Sequence, residues 1–164
     1  MDKMLKESEQ WIREIGQILI GKGHKLGFAE SCTGGLIAAT VASQAGVSAF
    51  FSGAVVSYAG DVKKKVLKVP AEEIEQFGEV SEEVVKSMAL GARESLNSEW
   101  VVSVSGIAGP TGGTKEKPVG TVCFGFVGPN FVETQTEHFL GTRIEIQKQS
   151  MIYALKGLLQ RLKN

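Results

Sequence analysis

Lys25-Leu26-Gly27-Phe28-Ala29-Glu30-Ser31-Cys32-Thr33-Gly34-Gly35-Leu36-Ile37 carries the chain from a strand into a helix. Lys25 to Ala29 is short and apolar and reads as a strand, and Thr33 to Gln44 reads as an apolar helix with Gly34 and Gly35 in its first turn. Upstream, Leu5, Ile12, Ile15, Ile18 and Leu19 recur at helical spacing until Gly21-Lys22-Gly23 stops the helix. Downstream, Phe50 to Tyr58 reads as a buried strand, Asp61 to Lys68 as a lysine-rich helix, and Pro70 to Phe77 as a short helix closed by Gly78. Ser81 is a good N-cap for a helix to Leu96, with Val80 and Val85 spaced as a hydrophobic staple.

Trp100 to Ser105 alternates as a strand, and Gly106 to Pro118 is a loop. Val119 to Val127 and Phe131 to Phe139 flank Gly128-Pro129-Asn130 and so predict an antiparallel hairpin. Thr142-Arg143-Ile144-Glu145 is a capping box that opens a last helix striped by Met151, Leu155, Leu158 and Leu162. Strands separated by helices predict one three-layer α/β/α domain over residues 1–164. Its sheet is expected to be mixed and mostly parallel, with a C-terminal antiparallel hairpin.

At 164 residues, 43% hydrophobic and 22% charged, the composition is that of an ordinary globular domain, which excludes disorder and coiled coil. Eighteen basic residues balance eighteen acidic ones, so bulk charge supplies no nucleic-acid-binding surface. Cys32 and Cys123 make no disulfide framework, and no Cys/His cluster has metal-ligand spacing, so no metal site is expected. Nothing between Glu30 and Asp61 is charged, but the middle of that stretch is Gly, Ala, Ser, Thr and Gln, a core segment and not a membrane span. Acidic Asp2, Glu7, Glu9 and Glu14 break any signal-peptide pattern, and the expected location is the cytoplasm.

Open α/β sheets bind ligands at the carboxyl ends of their strands. Three polar clusters fall there: Glu30 to Gly35, Ser57-Tyr58 through Lys63, and Ser103 to Gly113. Ser31 lies between strand and helix, where free backbone N–H groups and the helix dipole stabilise a developing oxyanion. Capping of the helix by Ser31 or Thr33 is the commoner use of such a position. Lys63 is the candidate base, five residues after Tyr58. It works only when neutral, and bringing a lysine from about 10.4 to about 7–8 takes roughly 3–5 kcal/mol of differential stabilisation. Lys64, Lys65 and Lys68 read as a solvated face. Cys32 is the rival nucleophile, because thiol pKa values fall at helix N-termini. A Ser31–Asp61–His138 arrangement is a further reading. The loop glycines, Gly106, Gly109, Gly112 and Gly113, would let backbone approach a ligand, and Arg143 at a helix start would meet an anion.

Ala29 to Gly35, together with Ser105-Gly106-Ile107-Ala108-Gly109-Pro110-Thr111-Gly112-Gly113 and Lys117-Pro118-Val119-Gly120-Thr121-Val122, closely resembles the C-terminal domain of the competence/damage-inducible CinA family. The resemblance implies a three-layer α/β/α fold and, from the stand-alone members, hydrolysis of the carboxamide of nicotinamide mononucleotide (NMN) to nicotinate mononucleotide and ammonia in pyridine-nucleotide salvage. It favours Ser31 as nucleophile over Cys32, with Tyr58 and Lys63 matching the family's tyrosine and lysine. Substrate would be bound by Thr33, Gly34, Gly35, Ser105, Gly106, Gly109, Gly112, Gly113 and Arg143, without metal or cofactor. Relatives often carry an arginine where this chain has Gln147, which bears on any two-arginine phosphate clamp. A non-catalytic nucleotide-binding module of the same fold is the alternative. The larger N-terminal domain of many relatives has no counterpart in these 164 residues, and its activities do not transfer. Apolar stripes on the terminal helices, if exposed, would serve a homodimer.

Overall fold

The computed structural model describes residues 2–164. Helix α1 (Asp2–Lys22) turns Ile12, Ile15 and Leu19 into the core and ends before Gly23, whose φ of 68° no helix accommodates. The side chain of Leu5, expected on the same stripe, lies outside the described residues. Strand β1 (Leu26–Glu30) follows, then helix α2 (Leu36–Ala42). This helix begins three residues later than the apolar run suggests. Gly34 and Gly35 take φ of 60° and 101°, left-handed values that break the chain out of helical geometry before Leu36.

A 3-10 turn (Val47–Ala49) leads into β2 (Phe51–Val56), and helices α3 (Gly60–Leu67), α4 (Ala71–Phe77) and α5 (Glu82–Leu96) come next. Ser81 caps α5 by accepting from the Val84 amide. Strand β3 (Trp100–Gly106) precedes a loop. Strands β4 (Thr121–Gly128) and β5 (Phe131–His138) form the expected hairpin, closed by Pro129-Asn130 between the Gly128–Phe131 pair. Helix α6 (Arg143–Lys163) opens on the capping box formed by Thr142 and Glu145.

The five strands lie in the order β2-β1-β3-β4-β5. Strands β2, β1 and β3 are parallel, β4 is antiparallel to β3, and β5 is antiparallel to β4, so β4 alone runs against the rest. The chain steps from β1 outward to β2, then back past β1 to β3. Keeping both crossovers right-handed requires opposite faces for the two steps. Helix α2 accordingly joins α1 and α6 on one face, and α3, α4 and α5 cover the other. Alternate strand residues serve the two cores: Phe28, Val102, Val104, Phe124 and Phe126 on the first, and Ala29, Val101, Cys123 and Val127 on the second. Reversal at β1 leaves the crevice beyond its carboxyl end open, between the two crossovers.

Two expectations need correction. Strand β2 is an edge strand with no fully buried residue, Ser52 and Val56 being exposed and the rest half-buried, because the strand order and not its apolar run decides how much it is covered. The stripes on the terminal helices are internal: Met151, Leu155, Leu158 and Leu162 are buried with Ile12, Ile15 and Leu19 in one core, where α1 packs on α6. These stripe residues are therefore not an exposed face on which a second copy could dock. Among the described residues no helix is long and apolar enough to cross a membrane.

Candidate active site

Glu30, the last residue of β1, is fully buried and, among the described residues, has no cationic partner. Its Oε2 accepts from Thr33 Oγ1 (2.6 Å) and the amides of Gly35 (3.1 Å) and Ile37 (3.1 Å), and its Oε1 accepts from the Ala38 amide (2.8 Å). The carboxylate thus occupies the positive end of α2 and satisfies the donors that a capping serine or threonine would meet. Ser31 is thereby free of the capping task that its position suggests. Gln147 of α6 donates its Nε2 to the Cys32 carbonyl (2.8 Å), tying the turn to a third element.

Lys63, on the inner face of α3, is among the largest fully buried side chains of the protein. Its Nζ lies 2.8 Å from Ser31 Oγ, 2.8 Å from the Ser57 carbonyl and 3.2 Å from the Tyr58 carbonyl. An ammonium uses all three N–H groups here. A neutral amine keeps two N–H groups on the carbonyls, and its lone pair then faces the Ser31 hydroxyl. Burial pushes Lys63 below the ordinary lysine value, against the Glu79 carboxylate 3.9 Å away, which raises it. Lys64, Lys65 and Lys68 are exposed, with Lys64 paired to Asp61 and Lys68 to Glu94.

Ser31 and Lys63 line a cleft of about 480 Å³ with Tyr58, Glu79, Ser105, Gly106 and Arg143. An adjoining lobe of about 850 Å³ shares Glu79, Gly106 and Arg143 and adds Gly109, Gly112 and Lys117. Arg143, the first residue of α6, donates from Nη2 to the Tyr58 phenol oxygen and from Nη1 to the Gly109 carbonyl, both at 2.7 Å. The phenol of Tyr58 therefore holds Arg143, and its main-chain carbonyl holds Lys63.

Three strand ends converge as the polar clusters suggest, but several expected binders have other occupations. Thr33 is buried on Glu30, and the amides of Gly34 and Gly35 are taken by the Ser31 carbonyl and by Glu30. Ser105 points its hydroxyl at the Glu79 carbonyl (2.9 Å). Gly113 packs against Val119, away from the cleft lining. At Gly106, a Cβ would stand 3.1 Å from Cys32 Sγ and 3.0 Å from the Thr121 carbonyl, so close packing as well as ligand approach requires glycine.

Cys32 is buried at 5% exposure, and burial pushes its thiol up to about 12, which overrides the lowering that a helix N-terminus exerts. Asp61 is exposed on Lys64, and His138 faces Thr121 across the hairpin, so neither belongs to the Ser31 cluster. Glu79 lies in none of the motifs, whereas Glu30 and Lys117 lie inside quoted motifs and Gln147 at a noted position without the sequence assigning any of the three a contact in the site. For Glu30 the signals are its place at the head of the first polar cluster and the charge-free stretch that follows it to Asp61.

The CinA C-terminal domain profile matches residues 8–162. A CinA-like protein of Prochlorococcus marinus (strain MIT 9515) is 43% identical over 143 residues, which are 85% of this chain and 33% of that protein. The chain thus spans about a third of the length of that relative. Nicotinamide-nucleotide amidohydrolase PncC of Enterobacter agglomerans is 46% identical over 148 residues, 90% of each chain. The Escherichia coli (strain K12) protein of that name is 42% identical over 157 residues, 94% of each. Competence damage-inducible protein A of Klebsiella pneumoniae subsp. pneumoniae MGH 78578 superimposes with a TM-score of 0.92 at 34% identity, covering 96% of this chain and 98% of that one. By sequence and fold, the chain belongs to the CinA C-terminal domain family.

Proposed function

We propose that this protein is an amidohydrolase that converts NMN to nicotinate mononucleotide and ammonia, with Ser31 as nucleophile and Lys63 as base. The observation that carries the reading is the buried Lys63 amine 2.8 Å from the Ser31 hydroxyl at the floor of an open cleft. A structural lysine has no need of that contact, and near full-length relatives bear the amidohydrolase name.

The steps follow from the geometry. Neutral Lys63 takes the proton of Ser31 Oγ as the oxygen attacks the carboxamide carbon. Charge collects on the carboxamide oxygen and is met by main-chain amides of the Cys32–Thr33 turn, since those of Gly34 and Gly35 are already engaged. The Lys63 ammonium then protonates the leaving nitrogen, the C–N bond breaks, and ammonia departs. Water, losing its proton to Lys63, attacks the resulting ester. The C–O bond breaks, nicotinate mononucleotide leaves, and Ser31 recovers its proton. The Ser57 and Tyr58 carbonyls hold the amine on line throughout. The phosphate lies in the outer lobe, where Arg143 and the Gly109–Gly112 segment line the wall.

Ammonia release from NMN by the purified protein, measured beside Ser31→Ala with a chelator present, tests the reading. Expected is release by the wild type and a loss of at least about 10³-fold in the variant. Equal release from both would overturn the serine assignment, and no release from the wild type would overturn the activity.

A further inference from the structure

Among the described residues, Glu79 is the one carboxylate that lines the cleft beside Ser31. Three independent features place it there. Gly78 before it takes φ of 81°, which turns the chain toward the cleft. Ser105 Oγ donates to the Glu79 carbonyl at 2.9 Å, fixing its main chain to the end of β3. Gly60 leaves the space that the carboxylate fills: a Cβ at Gly60 would stand 2.6 Å from Glu79 Oε1. The carboxylate is half exposed and 3.9 Å from Lys63 Nζ, which is itself 2.8 Å from Ser31 Oγ. Those two steps put a negative charge within about 7 Å of the nucleophile.

A charge in that place works against a base that must be neutral, unless the substrate brings a charge of its own. On the NMN reading given above, it does. The pyridine nitrogen bearing the ribose makes the ring a cation, and ordinary bond lengths place that nitrogen about 4 Å from the carboxamide carbon. With the carboxamide on Ser31, the cationic ring lies within Coulombic reach of Glu79. We infer that Glu79 is the counterion for the substrate's pyridinium ring. In the empty cleft its charge falls on Lys63 and favours the ammonium. A ring seated beside it offsets that charge and frees Lys63 to act as base.

The other groups facing Lys63 do not supply this pairing. Cys32, from the turn after β1, is a buried thiol pushed up to about 12. Tyr58, at the end of β2, turns its phenol to Arg143, and Arg143 is itself a cation. Glu30 is committed to the start of α2. On its own helix, Lys64 points outward and pairs with Asp61. Glu79 acts on Lys63 through space and on the ring by contact, so it is a specificity residue as well as a tuning one.

Calorimetric binding of NMN and of its reduced form, which has the same phosphate and an uncharged ring, tests the inference on wild type and Glu79→Gln. The Ser31→Ala background prevents turnover. Expected is a preference of about fivefold or more for the cationic ring with Glu79 present, and its loss in Glu79→Gln. In parallel, ¹³Cε-lysine protein, with the Lys63 signal assigned through Lys63→Met, reports the titration of that amine. Expected is a downward move of about half to one pH unit in ligand-free Glu79→Gln. The sign follows from removing a negative neighbour that favours the ammonium. An undiminished preference for NMN in Glu79→Gln overturns the counterion role, and an unmoved Lys63 titration overturns the coupling. Both readouts are independent of turnover. A wild type that binds NMN with this preference and releases no ammonia refutes the deamidase reading alone, whereas failure to bind either nucleotide refutes both.

Discussion

Replacing Glu30 by Gln tests whether the buried carboxylate, and not a serine cap, builds the turn that carries Ser31. The substitution keeps size and shape. It leaves one carbonyl oxygen where the carboxylate offers two, and turns an NH₂ group toward a backbone donor. With the amide oxygen in place of Oε2, the contacts from Thr33, Gly35 and Ile37 survive as neutral bonds, and the bond from the Ala38 amide at 2.8 Å is lost. A hydrogen bond to a charged group contributes about 1.5–3 kcal/mol and a neutral one about 1, so the lost bond and the three weakened ones together take away roughly 3–9 kcal/mol, centred near 6. The helix dipole adds about 0.5 kcal/mol in the same direction. Relief from burying a charge offsets part of this, by a few kcal/mol. A net loss of about 2–3 kcal/mol is expected, read as a lower midpoint with unchanged slope in urea unfolding of Glu30→Gln against wild type. Ammonia release should fall as well under conditions where the variant is folded, since the amides beside Ser31 hang from this carboxylate. A stability change under about 0.5 kcal/mol would refute the reasoning, because it would mean that the four donors find water or other acceptors as readily.

Cys32→Ala should keep ammonia release within about threefold of wild type, and iodoacetamide at pH 8 should leave native Cys32 unmodified by mass spectrometry, since burial has pushed its thiol up to about 12. A loss as deep as that of Ser31→Ala would return the nucleophile's role to the thiol. Arg143→Ala, at an exposed position, should raise KM for NMN about tenfold or more with a smaller change in kcat and little in Tm. Arg143→Lys should restore only part, because one ammonium cannot span Tyr58 and Gly109 as the guanidinium does. A fall in kcat at constant KM would remove Arg143 from phosphate binding.

How much of this was legible in the chain depends on how far each contact reaches. The layers and the hairpin follow from apolar periodicity and from turn residues, which are local, and the structure has them. Helix α2 begins three residues beyond the start of its apolar run: Gly34 and Gly35 lie within that run, and only their left-handed dihedrals show that they precede the helix. The coverage of β2 was misjudged because an apolar run reads alike at the edge and in the centre of a sheet.

The same distinction sorts the site. Ser31 and Lys63 were legible because each follows the end of a strand, and parallel strands bring their ends together wherever the crossovers are right-handed. Glu79 was not, for it reaches the cleft from a loop before α5, and nothing near it in sequence marks the direction it takes; Gln147, a noted position, bonds the Cys32 carbonyl from the second turn of α6, a contact that sequence does not show. The Cys32 thiol shows the limit of a local rule even where the residue is placed correctly. A helix N-terminus favours a thiolate, but the lowering is tied to access to that field and to solvent. For Cys32, at 5% exposure and packed so close to Gly106 that a Cβ there would stand 3.1 Å from its sulfur, desolvation is the larger effect. Adjacent residues at one helix start therefore differ in kind. Ser31 opens on the cleft with the Lys63 amine beside it, whereas Cys32 is buried against the core, and on the proposed reading that difference favours Ser31 over Cys32 as nucleophile.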